Sequence, residues 1–369
     1  MTKTRFVLIG GFLGAGKTTL IGELARRYVA AGQKVGIITN DQAADLVDTH
    51  NLRSQGFSVG EVAGACFCCS FDDLVSTADS LSESDVPDVL LAEPVGSCTD
   101  LVATVVLPLQ QLLGDRFELA PFGVLLKPSH GRRILAQDND QTLSGFSPQA
   151  EYIFRKQLEE ADFLMIGRSD QLSEDEIQRL RDTLANVAPT VPVISVSPKT
   201  GAGVDQVLGY LESPMTAGRR LLDIDYDTYA IGEAELGWVN LTAMLTSNVS
   251  IDLDQLAHEV VRTTADAVIK QYAGAIAHLK VSVLGGDSQA VANVVSNSSD
   301  VDVGLRSGRS VDGKIQVIVN ARVAIDPADL RSACESSLRQ VAQTRSASIE
   351  SLSAHSLRPG RPTPTHRVT

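Results

Sequence analysis

Gly11-Phe12-Leu13-Gly14-Ala15-Gly16-Lys17-Thr18 lies between an apolar, strand-like run, Phe6 to Ile9, and a helix-like run, Thr19 to Ala31. The eight residues keep the spacing G-x-x-x-x-G-K-[ST] of a phosphate-binding loop, or P-loop. Its glycines let successive backbone N–H groups turn inward around phosphate oxygens, and the dipole of the following helix favours the same negative charge. In this reading Gly11, Leu13, Gly14, Ala15, Gly16, Lys17, Thr18 and Thr19 bind a nucleotide. Lys17 meets the β- and γ-phosphates and the Thr18 hydroxyl a Mg²⁺ ion. The alternative is a Gly-rich surface turn, and the strand-loop-helix context argues against it.

Outward from the loop, residues 1–212 alternate strand-like stretches (Lys34 to Thr39, Val86 to Ala92, Phe122 to Leu126, Phe163 to Ile166, Val191 to Val196) with helical patterns such as Glu151 to Ala161 and Ser173 to Ala188. That alternation predicts an α/β domain: a parallel sheet with helices on both faces and ligands at the carboxyl ends of its strands. Glu212 to Gly218 reads as a linker, bounded at 213–222. Residues 223–357 then predict a strand Gly237 to Ser247, a helix Leu253 to Tyr272, and a strand Ala277 to Leu284. A polar loop follows at Ser296 to Ser310, with room for a short strand. A strand Lys314 to Ile325, a helix to about Gln343 and a strand Ala347 to Leu357 complete the order βαββαβ of a smaller, ferredoxin-like α+β domain. The basic, proline-rich residues 358–369 read as an extended, mobile tail.

Composition narrows the class. With 32 basic against 45 acidic residues the net charge is −13, which argues against nucleic acid or an anionic membrane as partner. No apolar run reaches the roughly 18 residues of a membrane span. The P-loop strand starts almost at Met1, so cleavage of a leader there would destroy the site; a cytoplasmic location is expected. Of five cysteines, three fall in Cys66-Phe67-Cys68-Cys69, which suits metal or redox chemistry rather than a disulfide framework.

Thiolates are soft ligands for Zn²⁺ or Cu(I), and Zn²⁺ takes four tetrahedral ligands at about 2.3 Å from sulfur. Cys66, Cys68 and Cys69 can supply two or three. The rest would come from Cys98, a histidine, a carboxylate, water or a partner protein, and such incomplete coordination suits a site that passes metal on. Three small buried residues in a tight turn, or a redox pair, are the other readings. Asp41, with Asp45 and Asp48 soon after, follows the second strand, and Glu93 ends the apolar run from Asp88. Carboxylates so placed hold Mg²⁺ through water or orient the attacking water. Gly96 offers a backbone N–H to a γ-phosphate. The cysteines fall between these two segments, so nucleotide state and metal affinity could be coupled.

The chain resembles the CobW-like family of P-loop GTPases, relatives of HypB and UreG. Gly10 to Thr19 match that family's G-G-F-L-G-A-G-K-T-T and Cys66 to Cys69 its C-x-C-C, while Glu93-Pro94-Val95-Gly96 is similar to E-T-S-G. Gln157 to Asp162 and Asp170-Gln171-Leu172 look like Q-x-x-x-A-D and the end of N-K-x-D-L. The resemblance implies GTP hydrolysis with Mg²⁺, coupled to binding and delivery of a transition metal, zinc first and cobalt next, to a client metalloprotein. It implies Asp170 and Arg168 at the base, Lys17, Thr18, Asp41 and Glu93 as catalytic residues, Thr18 and Glu93 on Mg²⁺, and Cys66, Cys68 and Cys69 on the transition metal. A nucleotide-gated chaperone of a corrinoid or methyltransferase enzyme, with structural cysteines, is the alternative. A small-molecule kinase would need a general base that no residue clearly offers. No arginine finger can be named, so a slow intrinsic rate is expected, with a partner or a homodimer completing the site.

The departures concern the base. Gly167-Arg168-Ser169-Asp170 stands where the family has N-K-x-D, so the asparagine amide is missing, although Asp170 can still accept from guanine. Pro198 in Ser197-Pro198-Lys199 removes a backbone N–H that would meet the guanine oxygen. GTP is favoured, with ATP left open. Pro94 replaces a threonine, Ala65 a glycine, and Leu126 to His130 lack the acid expected after their strand. His258 and His278 read as half-buried structural residues and Cys334 as core.

Overall fold

The computed structural model describes residues 3–41, 47–83, 85–135, 147–297 and 299–369. The chain divides into two units, Met1–Gln42 with Gly56–Gly232 and Arg361–Thr369, and Ala43–Gln55 with Glu233–Gly360. Asp45 lies outside the described residues.

The first unit contains β1 (Thr4–Gly10), α1 (Lys17–Ala30), β2 (Val35–Asp41), and, after α2 (Val47–Ser54) of the second unit, β3 (Ser58–Ala63), α3 (Phe71–Ser82) and β4 (Val89–Glu93). It continues through a widened helical turn (Val102–Val106) into α4 (Leu107–Leu113), then β5 (Phe117–Leu119), β6 (Gly123–Leu126), α5 (Pro128–Ile134), α6 (Pro148–Glu159), β7 (Phe163–Ile166), α7 (Glu174–Val187), β8 (Val193–Ser195), α8 (Val204–Leu211) and all but the last two residues of α9 (Tyr226–Ala234). The strands pair in parallel in the order β3-β2-β4-β1-β6-β7-β8, with β5 beside β1. Phe6 to Ile9 and Val89 to Ala92 are buried throughout, as a sheet covered on both faces requires. This is the α/β sheet that the alternating pattern predicts. β3 escapes that pattern because Gly60 and Glu61 interrupt its apolar residues.

Asp162 follows α6 and is fully buried. Its carboxylate accepts N–H bonds from Phe122 (2.8 Å), Gly218 (2.8 Å) and Arg219 (3.1 Å), which ties the stretch read as a linker to the sheet. The start of α9 is held in the same unit: the Tyr226 hydroxyl donates to Asp100 (2.7 Å), and the Thr99 N–H donates to the Tyr229 hydroxyl (3.2 Å).

In the second unit β9 (Gly237–Asp252), α10 (Leu253–Tyr272), β10 (Ala275–Gly285), β11 (Ser288–Val294), β12 (Asp302–Leu305), β13 (Ser310–Ala324), α11 (Pro327–Thr344) and β14 (Ser348–Leu357) build a six-stranded antiparallel sheet ordered β12-β11-β10-β13-β9-β14. The run β10-β13-β9-β14 with two crossover helices is the ferredoxin-like core. β11 and β12 extend it. The sequence reading passes over β11, although Gly286-Asp287, with Gly286 at φ +57°, marks a two-residue hairpin. Val239, Leu241, Ala243 and Leu245 of β9 face Leu256, Val260 and Val261 of α10 and Leu338 of α11, the 2-residue and 3.6-residue periods meeting in one core. Cys334 lies in it, its thiol pushed up to about 12 by burial. His258 and His278 are half-buried. α2 packs on the opposite face: Asn320 accepts from Val47 N–H at 2.8 Å, and Asp48 pairs with Lys280.

The segment 361–369 departs from expectation. It is extended, but it lies packed in the first unit rather than in solvent, because Arg367 reaches the buried Asp100 (2.8 Å) and its backbone finds partners along the way.

Candidate functional site

Three glycines shape the loop between β1 and α1. Gly11, Gly14 and Gly16 hold φ of +137°, +70° and +102°, conformations that L side chains resist. At Gly11 a Cβ would also come 2.5 Å from the Leu125 carbonyl oxygen. Ala15 N–H closes a turn onto Phe12 O at 3.1 Å, and α1 starts at Lys17 with Gly16 as its cap. Lys17 is buried and donates to Gly11 O at 3.0 Å, curled over its own loop. Thr18 donates to Glu93 Oε1 at 3.1 Å, and Lys17 Nζ lies 3.9 Å from the same oxygen. Glu93 is buried at the end of β4, as anticipated. A hydroxyl and a carboxylate side by side are hard oxygen donors, the set that Mg²⁺ prefers.

Two further segments flank the loop. Gly96 lies so close beneath it that a Cβ would meet Leu13 N at 2.9 Å and Leu13 Cα at 3.1 Å. Gln157 holds that segment, donating to Gly96 O (3.0 Å) and Cys98 O (2.7 Å). Glu160, one turn on, accepts from Thr99 Oγ1 and Val102 N–H, both at 3.1 Å, and burial pushes its carboxyl up to about 8. Gln157 and Glu160 therefore anchor the segment from Gly96 to Val102 beyond β4, while Asp162, just before β7, ties the start of β6 to Gly218 and Arg219. Asp41 ends β2, two residues beyond Thr39, which is in register with Glu93.

Next to Asp41, Asn40 is buried and reaches the cysteine turn. Its Nδ2 donates to Val62 O (2.9 Å) and Ala65 O (2.7 Å), and its Oδ1 accepts from Phe67 N–H (2.9 Å). The turn closes through Cys69 N–H and Ser70 N–H on Cys66 O, both at 2.9 Å, and leads into α3. Cys66 Sγ is 3.0 Å from Cys68 Sγ and 3.4 Å from Cys69 Sγ, with Cys68 and Cys69 3.7 Å apart. Sulfurs around a tetrahedral zinc are about 3.8 Å apart, so the trio fits one ion with slight opening. Among the described residues this is the cluster compact enough for a metal. Hydrogen bonds from Cys68, Cys69 and Cys98 draw the Cys66 thiol well down, while the same network pushes Cys68 up and Cys69 to about 11. Cys98 is buried and touches Cys66 and Cys68 without joining the compact trio.

Asp170, expected to meet the base, is exposed on the short turn Ser169–Gln171, and Arg168 takes a left-handed conformation, φ +53°. Ser169 N–H bonds Val196 O at 3.2 Å, which sets this turn against Ser197-Pro198-Lys199. Gly167 is explained by crowding: a Cβ there would meet Leu126 O at 3.2 Å and Ala15 O at 3.5 Å. In place of the acid missing after β6, Lys127 is buried, 3.4 Å from His130 Nε2. Burial, then Arg168 and Arg133, bring Lys127 down to about 7. Neither Asn40 nor Lys127 carries a motif that would single it out in the sequence.

A family model described as the CobW/HypB/UreG nucleotide-binding domain matches residues 5–195. The chain belongs to that family. It is 27% identical over 209 residues to the zinc chaperone CobW of Sinorhizobium sp, covering 51% of this chain and 57% of the relative. To the zinc chaperone YjiA of Escherichia coli K12 it is 25% identical over 203 residues, covering 53% and 58%. The chain thus spans a little over half the length of these curated relatives. The solved structure of the hydrogenase maturation factor HypB from Archaeoglobus fulgidus aligns with 56% of this chain and 88% of that one, at 20% identity and a TM-score of 0.39. The CobW-type match ends near β8 and so takes in both the P-loop and the thiol turn. Among the described residues no helix is long and apolar enough to cross a membrane.

Proposed function

We propose that this chain binds and hydrolyses GTP with Mg²⁺ and couples its nucleotide state to the binding of a transition metal, zinc first, for delivery to a client protein. The observation that carries the reading is Asn40. One residue from Asp41 at the nucleotide end of β2, it holds three backbone groups of the thiol turn. A shift of the β2 end on nucleotide exchange is thereby passed to Cys66, Cys68 and Cys69. The segment from Glu93 through Gly96 to Cys98 gives a second route.

In this reading Lys17 and the N–H groups from Gly14 to Thr19 neutralise charge that builds on the β–γ bridge and γ-oxygens. Thr18 and Glu93 would hold Mg²⁺, which when bound supplies further charge neutralisation. Asp41 orients the attacking water. Asp170 accepts from guanine, with the Arg168 guanidinium flat against the base. The missing amide at Gly167 and missing N–H at Pro198 make the preference over ATP narrower than three intact contacts would give. The thiol trio takes zinc as cargo, and the open fourth position is where a client ligand enters. The names of the CobW and YjiA relatives as zinc chaperones support this reading.

Calorimetric titration with GTP and ATP, with and without one equivalent of zinc, tests it. GTP should bind more tightly than ATP, Lys17→Ala should lose both, and Cys66→Ser with Cys68→Ser should lose zinc alone. Equal nucleotide binding by the wild type and Lys17→Ala would refute it.

A further inference from the structure

Residues 361–368 run directly over the thiol turn. Burial along them alternates: Pro362 is buried and Pro364, His366 and Val368 are half-buried, while Arg361, Thr363, Thr365 and Arg367 are the more exposed residues. That is the period of an extended strand laid on a surface. Thr363 N–H donates to Cys69 Sγ at 3.3 Å. Thr365 N–H donates to Cys68 O at 2.8 Å, and its hydroxyl to Cys69 O at 3.1 Å. His366 sets its ring edge-on to Phe71, the first residue of α3, at 5.0 Å, and Val368 N–H bonds Ala103 O at 2.9 Å. The partners lie in the cysteine turn, at the start of α3 and in the widened turn Val102–Val106.

The far end is fastened. Arg367 Nε pairs with Asp100 Oδ2 at 2.8 Å, its Nη2 donates to Leu222 O at 3.1 Å, and its guanidinium lies 5.9 Å from the Tyr226 ring centre. Asp100 is 2% exposed and holds φ +64°, a strained conformation kept only where the surroundings over-determine it. It lies two residues beyond Cys98, on the segment that starts at Glu93 and passes beneath the P-loop. Arg361 pairs with Asp227 at the near end.

We propose that residues 361–368 are a strap that seals the thiol site, with Arg367–Asp100 as its latch and the Thr363 N–H as a positioning donor on Cys69. The strap covers Cys69 and is fastened at both ends, so in its latched state it retains cargo. Lifting it exposes Cys69, the half-buried member of the trio, to an incoming client ligand. Because Asp100 continues the Glu93–Cys98 segment, a change at the P-loop can release the latch.

The proposal rests on the thiol site holding zinc, so its test has two arms. In the first, zinc-loaded full-length protein is mixed with excess 4-(2-pyridylazo)resorcinol and zinc release is followed by stopped flow. Arg367→Gln and Thr363→Pro, which lacks the N–H, should release zinc about tenfold faster than the wild type, the effect of one charge-assisted hydrogen bond. Thr363→Ala, which keeps the N–H, should match the wild type. Release within twofold of the wild type for Arg367→Gln and Thr363→Pro, or equal acceleration by Thr363→Ala, would overturn the strap. In the second arm, Cys69 alkylation by iodoacetamide is followed by peptide mass spectrometry on metal-free protein. Arg367→Gln should react about tenfold faster. An unchanged rate overturns the strap whether or not zinc binds, whereas failure to load zinc with faster alkylation removes only the metal reading.

Discussion

Adding one methyl group at Gly96 would measure how firmly the β4 segment presses on the P-loop. The new Cβ would lie 2.9 Å from both Leu13 N and Leu13 Cδ2 and 3.1 Å from Leu13 Cα. The side-chain tip can swing away, but the backbone atoms cannot without moving the phosphate loop. Relieving an overlap of roughly half an ångström in a packed interior costs about 1–3 kcal/mol. For a unit of this size that lowers the melting temperature by about 2–4 °C per kcal/mol. If the strain is relieved by displacing Leu13, nucleotide affinity falls by about 5- to 150-fold, the same energy expressed as binding. Differential scanning fluorimetry and titration with a fluorescent GTP analogue read the two effects. Gly209→Ala is the control: nothing lies within 4 Å of its added Cβ, and it sits in α8, so it should be neutral or stabilise by up to about 1 kcal/mol. A Gly96→Ala protein that melts and binds nucleotide like the wild type would show that this segment does not bear on the loop.

Asp162→Ala should destabilise the protein by about 2–5 kcal/mol, since the Phe122 and Gly218 N–H groups lose a buried acceptor; a urea midpoint unchanged within error would contradict this. Lys127 has a folded pKa of about 7 against an ordinary 10.5, so its contribution to stability is fully present above about 10.5 and is lost as pH falls through about 7. The melting temperature of Lys127→Met should therefore exceed that of the wild type most at pH 6 and draw level with it only above about pH 10.5, and a constant gap would refute the assignment. Asn40→Ala should weaken zinc binding by about tenfold while leaving all three thiols in place, because the turn loses its anchor; competition with a zinc-sensitive dye checks it, and an unchanged affinity would remove Asn40 from the coupling route.

The P-loop, the acid at Glu93 and the thiol trio were legible because each is a short local pattern whose spacing encodes its chemistry. β7 and α7 were legible for the same reason, an apolar run or a helical period with a capping serine, Ser173. What escaped depends on distant residues. β3 carries Gly60, where a Cβ would clash with Thr77 Cγ2 of α3 at 2.4 Å, so packing against a helix removed an apolar signal. The Gln157–Asp162 stretch was visible as a resemblance, but its role of tying down Gly96, Thr99, Val102 and Gly218 appears only once the loops are in place. Local composition made residues 361–369 look solvated. Asp100, 267 positions from Arg367, decides otherwise.

The account's central claim is that nucleotide state is felt at Cys66, Cys68 and Cys69. The most direct measurement is the zinc dissociation constant of the same protein saturated with a non-hydrolysable GTP analogue and then with GDP, both with Mg²⁺. The account predicts two clearly different constants, and indistinguishable values would contradict it.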